Sequence, residues 1–129
     1  MSPTTRLTRA LPVIFVANVE ESASFFRNTL GFSIDFLHGK PPFYGSVSRD
    51  GACLHLKFVH EPMLAVGVHD KEGLINAFIE VEDVETLYAE YVAAGATFQQ
   101  TLEKQAWGGR DFIVSDLDGN GICFAELAG

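Results

Sequence analysis

Two stretches of the sequence, VIFVANVEESASFFRNTLG at residues 13–31 and AFIEVEDVETLYAEYVAAG at residues 77–95, follow one pattern. Each opens with a short apolar run and continues with apolar residues at helical spacing. A residue type that caps helix N-termini stands where the pattern changes, and a glycine suited to the left-handed position ends it. These residues are Asn18 and Gly31 in the first stretch and Asp83 and Gly95 in the second. The sequence therefore predicts a strand followed by a helix, twice.

A second repeat follows each predicted helix. The dipeptide Asp-Gly occurs at residues 50–51 and 118–119, and it favours a tight turn between two strands. The strand candidates between each helix and its turn cover residues 32–37 and 44–48 in the first half and 97–102 and 112–115 in the second. Each half is therefore predicted to be a βαβββ module, which makes the fold class α+β.

The length of the chain suits one domain. With 129 residues and 47% hydrophobic residues, the chain can bury a core of ordinary size. We expect a single domain over residues 1–129, with module one at about 11–59, a linker at about 60–73 and module two at about 74–127.

The net charge, the apolar stretches and the cysteine spacing of the chain disfavour several classes of partner and of site. A formal net charge of -8, without a cluster of cations, disfavours nucleic acid. No apolar stretch approaches the ~20 residues that cross a bilayer, and the N-terminus lacks a secretory pattern, so we expect a cytoplasmic protein without a membrane contact. Cys53 and Cys123 lie in apolar alternating runs and lack the spacing of a zinc or redox site. Both are predicted to be reduced thiols.

Four segments of the chain resemble the vicinal oxygen chelate superfamily (glyoxalase/bleomycin resistance protein/dioxygenase), and most closely its bleomycin resistance protein branch. They are LPVIFVANVEESASFFRNTLGFSIDF at 11–36, RDGACLHL at 49–56, IEVEDVETLYAEYVAAGA at 79–96 and AWGGRDFIVSDLDGNGICFAEL at 106–127. The resemblance implies two βαβββ modules with curled mixed sheets that form a cleft. It also implies a homodimer that exchanges modules or pairs them across its interface.

The resemblance also implies where a metal ion would be held. Enzymes of this superfamily bind a divalent metal at four equivalent positions, which here are Leu11, His55, Asn76 and Cys123. Leu11 has no donor atom, Asn76 is a poor ligand for a transition metal, and the set lacks a carboxylate. We therefore expect no metal, no other cofactor and no catalytic residue. His55 is expected to be a half-buried histidine in a cleft wall.

Without a metal, the branch that the chain resembles sequesters a large, cationic antibiotic with a planar tail. Trp107 lies in a predicted loop, directly before Gly108 and Gly109, and offers a stacking surface for a planar ligand. Phe43 and Tyr44 could form the opposite wall. The expected ligand-binding residues are Trp107, Phe43, Tyr44, His55, Asn76 and Cys123. The predicted function is to bind a small molecule, such as a bleomycin-like antibiotic, at a dimer cleft.

Two alternatives remain open at this stage. Trp107 could instead plug a sheet edge or fill the dimer interface. The chain could be a divergent metal-dependent lyase, isomerase or dioxygenase of the same superfamily. The acidic residues near Trp107, namely Asp111, Asp116 and Asp118, are expected to be turn and hairpin residues.

The metal assignment gives a first testable prediction. The purified protein should carry no stoichiometric divalent ion, and added Zn, Mn, Fe or Ni should not raise its melting temperature, because an ion that binds the folded state would stabilise it. Elemental analysis and thermal unfolding measure both. A metal content near one ion per chain would favour the enzyme alternative.

Overall fold

The computed structural model describes residues 4–61 and 73–128, and the order of its elements repeats once. Module one contains β1 (Val13–Val16), α1 (Val19–Asn28), β2 (Ser33–Gly39), β3 (Pro42–Arg49) and β4 (Ala52–Phe58). Module two contains β5 (Ala77–Glu80), α2 (Val84–Ala93), β6 (Thr97–Lys104), β7 (Arg110–Ser115) and β8 (Gly121–Glu126). The predicted βαβββ repeat and the α+β fold class are confirmed. Most of the predicted linker at 60–73 falls outside the described residues.

Each module forms one four-stranded mixed sheet. Sheet one has the strand order β1-β4-β3-β2, and sheet two has the equivalent order β5-β8-β7-β6. The first strand of each module pairs in parallel with the last, and the other pairs are antiparallel. In the part of the chain that the structure describes, no helix is long and apolar enough to cross a membrane.

The predicted signals at the helix ends act as expected. The Asn18 side chain accepts a hydrogen bond from the Glu21 backbone N–H (2.9 Å), which satisfies one free amide of α1. The Asp83 side chain does the same for the Thr86 N–H (3.1 Å) at the start of α2. Both helices stop at glycines of positive φ, Gly31 at 76° and Gly95 at 78°.

The two Asp-Gly sequences form different connections. Asp50 (φ 51°) and Gly51 alone join β3 to β4, so the first tight turn is confirmed. The second also forms a turn between two strands, in which the Gly119 N–H donates to the Asp116 carbonyl (3.1 Å), but the connection is longer, with five residues, 116–120, between β7 and β8. The reason is Asp116, whose buried carboxylate accepts hydrogen bonds from the backbone N–H groups of Asp118 (2.9 Å) and Asn120 (2.7 Å). These bonds organise a wider loop.

The main hydrophobic core serves both modules, because each helix covers one face of its sheet. Phe26 of α1 and Tyr91 of α2 are fully buried in the same core as Phe112 and Phe124 of sheet two. The Tyr91 hydroxyl donates to the Leu30 carbonyl (2.7 Å), which joins α2 to the end of α1. Within residues 4–61 and 73–128, no helix lies against the opposite face of either sheet, and we call it the uncovered face. On sheet two this face also carries a second, smaller cluster of buried residues.

The loop between β7 and β8 also connects the modules. Asn120 Nδ2 donates to the Phe15 carbonyl (3.0 Å), and the Ala17 N–H donates to Asp118 Oδ1 (3.1 Å). Asn120 Nδ2 donates to Asp116 Oδ2 as well (2.9 Å), so the loop and the end of β1 share one hydrogen-bond network. Burial raises the pKa of Asp116 from 3.8 to about 6, although the bonds from Asn120 oppose this shift.

This raised pKa predicts the pH dependence of stability. The folded state binds the Asp116 proton more tightly than the unfolded state does. The protonated carboxyl group therefore adds to the free energy of unfolding below about pH 4, and this contribution is lost as the pH rises through 6. Through this group, the free energy of unfolding falls by at most ~1.4 kcal/mol per pH unit. When unfolding by urea is measured between pH 4 and 7, Asp116→Asn should abolish the part of the decline in the free energy of unfolding that Asp116 causes.

Asp50→Asn is the matched control, because it removes the same charge from an exposed turn. It should leave the slope of the wild-type protein unchanged. Parallel curves for the wild type and Asp116→Asn would contradict the assignment.

Candidate ligand-binding site

The uncovered face of sheet one carries two of the predicted site residues in contact with each other. The Tyr44 hydroxyl lies 2.8 Å from His55 Nδ1, within hydrogen-bond distance, and both side chains are half-buried. Phe36 packs edge-on against the His55 ring, with 5.9 Å between the ring centroids. His55 is therefore a half-buried histidine, as expected, but its partner is a tyrosine hydroxyl. Phe43 lies exposed at the end of β3 against the His38 ring (5.4 Å).

The uncovered face of sheet two forms a recess of about 340 Å³. Two more of the predicted ligand-binding residues, Trp107 and Cys123, line this recess. Trp107, Phe78 and Ile113 supply aromatic and apolar walls, and Cys123 and Asp111 line it as well. The remaining lining residues are Gly73, Ile75, Gln100, Gln105 and Leu127. The structure thus brings Trp107 and Cys123 together, whereas Phe43, Tyr44 and His55 are not part of this lining.

The turn between β6 and β7 holds Trp107 in place. Gln105 N–H donates to the Gly109 carbonyl (2.8 Å), and Gly108 N–H donates to the Gln105 carbonyl (3.0 Å). A Cβ at Gly109 would overlap the Trp107 ring, so the ring lies directly on the glycine backbone. The side chain remains 49% exposed. The two glycines that pointed to a loop in the sequence therefore also seat the aromatic ring.

Asp111 is a site residue that the sequence reasoning missed. It was expected in a turn, but it lies within β7, and its side chain is only 7% exposed. Asp111 Oδ1 accepts hydrogen bonds from Gln100 Nε2 (2.6 Å) and Gln105 Nε2 (2.8 Å). Strand alternation is the signal that could have found it, because Asp111 shares a face with Ile113 within an apolar strand.

The four positions that the superfamily uses for a metal do not fit one here. Asn76 Oδ1 already accepts the Gly121 N–H (2.9 Å), and Leu11 has no donor atom. Burial, followed by the nearby Asp111 carboxylate, raises the pKa of Cys123 to about 12, which favours the thiol over the metal-binding thiolate. Within residues 4–61 and 73–128, no group of three or more His, Cys, Asp or Glu side chains could hold a metal ion.

A larger cavity of about 830 Å³ lies between the modules, but its polar groups have other roles. Arg49 binds the Glu90 carboxylate (2.6 and 3.0 Å) and donates to the Leu30 carbonyl (2.9 Å). The other acidic side chains that line it, such as Glu80 and Glu82, are exposed. This cavity is bordered by groups that join the modules, so the recess at Trp107 is the better candidate site.

Comparisons with known proteins agree with this architecture. A bleomycin-binding protein from Streptomyces verticillus, solved with copper(II)-bleomycin, is 27% identical, with a TM-score of 0.74 over 98% of this chain and 100% of its own. The bleomycin resistance determinant of transposon Tn5 is 17% identical (TM-score 0.74; 95% and 100% covered). A glyoxalase-related enzyme from Clostridium phytofermentans is 19% identical (TM-score 0.76; 98% and 100% covered). The last two show the fold alone.

No curated protein matches the sequence at a significant level. The family model named Glyoxalase/Bleomycin resistance protein/Dioxygenase superfamily matches residues 7–124, which is most of the chain. The chain therefore belongs to the glyoxalase/bleomycin resistance protein/dioxygenase superfamily.

Proposed function

We propose that this protein binds a planar, cationic small molecule without a metal, in a cleft that a second copy of the chain completes. The observation that carries the proposal is the recess on sheet two, where the Trp107 ring lies on a glycine backbone with about half of its surface exposed. A seated aromatic ring beside apolar walls provides a stacking surface for a flat ligand.

The charge of the protein supports a cationic ligand. The formal net charge is -8, and among the described residues that line the recess the single charged side chain is Asp111. An acidic protein attracts cations and raises their association rate. The relative from Streptomyces verticillus, which was solved with copper(II)-bleomycin, supports an antibiotic of this kind as the first ligand to test.

The donor chemistry argues against the metal-dependent enzyme as the alternative. The oxygen of Asn76 is used by Gly121, and the Cys123 thiol is stabilised against ionisation. His55 alone keeps a ring nitrogen for a metal, and a catalytic zinc normally has three protein ligands. We further propose that binding takes place in the cytoplasm, because the two cysteines, Cys53 and Cys123, are free thiols.

Exposed aromatic residues on both uncovered faces support a homodimer. Phe15 of β1 is 50% exposed on sheet one, and Phe78 of β5 is 49% exposed on sheet two. Each lies in an edge strand, where a second chain can cover it at low cost. In such a dimer, sheet one with Phe43 and Tyr44 would form the wall opposite Trp107.

The dimer is testable in solution. Light scattering should report twice the 14.1 kDa mass of one chain. Phe15→Glu should produce a monomer, because it places a charge in the apolar interface, whereas Val92→Glu, at an exposed position on α2, should not. A wild-type chain that stays monomeric at high micromolar concentration would contradict the proposal.

Binding through Trp107 is tested by calorimetry with copper(II)-bleomycin. Trp107→Ala should remove ~1–3 kcal/mol of binding free energy through the loss of stacking, with little change in the melting temperature. Phe43→Ala should also weaken binding if it forms the opposite wall. Val92→Ala serves as the control, because that side chain is exposed away from both sheet faces.

The same variant tests the structural role of Trp107. If the ring plugs the dimer interface instead, Trp107→Ala should lower the melting temperature and weaken the dimer, because truncation of a large buried aromatic costs ~3–5 kcal/mol. Unchanged affinity together with lower stability would show that Trp107 is not a ligand contact.

A further inference from the structure

We propose that Asp111 is the anchor for the positive charge of the ligand, and that it selects flat cations with N–H donors, such as aryl amidines. This inference rests on the proposed function, because it assigns a role within the same recess. It adds a specific electrostatic contact to the stacking at Trp107.

The two oxygens of the carboxylate have different surroundings. Oδ1 accepts hydrogen bonds from the side-chain amides of Gln100 and Gln105. Oδ2 has a single hydrogen-bonding contact within the described residues, the Cys123 thiol at 3.9 Å, and a thiol is a weak donor. Asp111 lines the recess together with Trp107. Because Oδ1 already accepts from two amides, Oδ2 is the oxygen that we assign to a ligand.

The burial of Asp111 makes this free oxygen unusual. A carboxylate that is 7% exposed loses most of its hydration, and such groups are normally paired with a cation. Arg110, its neighbour in the chain, instead binds Glu85 and Glu126. Two neutral amides and a thiol are the side-chain donors that the described residues offer to Asp111. A cationic ligand would supply the missing positive charge.

The walls determine the shape of that cation. Trp107 favours a flat ring that stacks on it, and an aromatic face also attracts positive charge. An amidinium group lies near the plane of the ring that bears it and carries N–H donors at its edge. Such a group could donate to Asp111 Oδ2 while its ring contacts Trp107. A neutral amide of the same shape would contact Trp107 but would lack the charge.

The competing explanation is structural. Asp111 accepts from Gln105, which belongs to the turn that carries Trp107, so it could serve only to hold this turn. Asp111→Asn separates the two roles, because the asparagine oxygen can still accept from the glutamines while the charge is lost. Glu103→Gln is the matched control, because Glu103 is the cross-strand partner of Asp111 but is exposed.

The experiment compares two isosteric probes, naphthalene-2-carboxamidine and naphthalene-2-carboxamide, through quenching of Trp107, the single tryptophan. The wild type should bind the amidine at least about tenfold more tightly than the amide, since a charge-assisted hydrogen bond contributes that much. Asp111→Asn should abolish this preference and leave amide binding unchanged. Glu103→Gln should keep the preference.

Three results would overturn the inference. The wild type could bind the two probes equally or not at all, or the amidine preference could survive Asp111→Asn. The third is a loss of this preference in Glu103→Gln as large as the loss in Asp111→Asn. Titration of the same preparations with copper(II)-bleomycin separates this inference from the proposed function. Quenching by bleomycin without an amidine preference leaves the binding role intact and removes the role of Asp111. A preference that depends on Asp111, without a response to bleomycin, supports the anchor and removes bleomycin as the ligand.

Discussion

Among the described residues, each sheet has a helix against one face, and the rest of the structure depends on this arrangement. The two helix-covered faces share one core around Phe26, Tyr91 and Phe112, so the modules are joined through their interiors. The opposite faces then remain open with exposed aromatic residues such as Phe15 and Phe78. The proposed binding surface and the proposed surface for a second chain both follow from how the core is closed.

The repeat has produced two uncovered faces of different chemistry. On sheet one, polar groups satisfy one another: Tyr44 contacts His55, and Asp35 accepts hydrogen bonds from Ser46 (2.8 Å) and Ser48 (2.7 Å). On sheet two, the Cys123 thiol is the single hydrogen-bonding contact that the described part of the chain offers to one oxygen of the buried Asp111 carboxylate. Because an incompletely paired buried charge is costly, it is retained where it has a function. This asymmetry is the reason that we propose sheet two as the face that recognises charge.

Asp111 and Asp116 are both buried, but their carboxylates have different surroundings. Asp116 lies in the loop that joins the modules, and three N–H donors surround it, so its role is to organise that loop. Asp111 lies in a strand on the uncovered face, and its two amide donors among the described residues both bind one oxygen, Oδ1. Both were expected to be turn residues from the sequence. Their position relative to the sheet faces separates an architectural carboxylate from a candidate ligand contact.

The sequence by itself determined the βαβββ repeat, because helix caps, left-handed glycines and alternating strands are local patterns. It also indicated an exposed turn at Trp107, since two glycines follow this residue. The recess, the burial of Asp111 and the use of the Asn76 oxygen by Gly121 were decided by the tertiary structure. Alternation within β7 assigns Asp111 to a face of the sheet, but no local pattern shows which face remains uncovered or which distant residues pair.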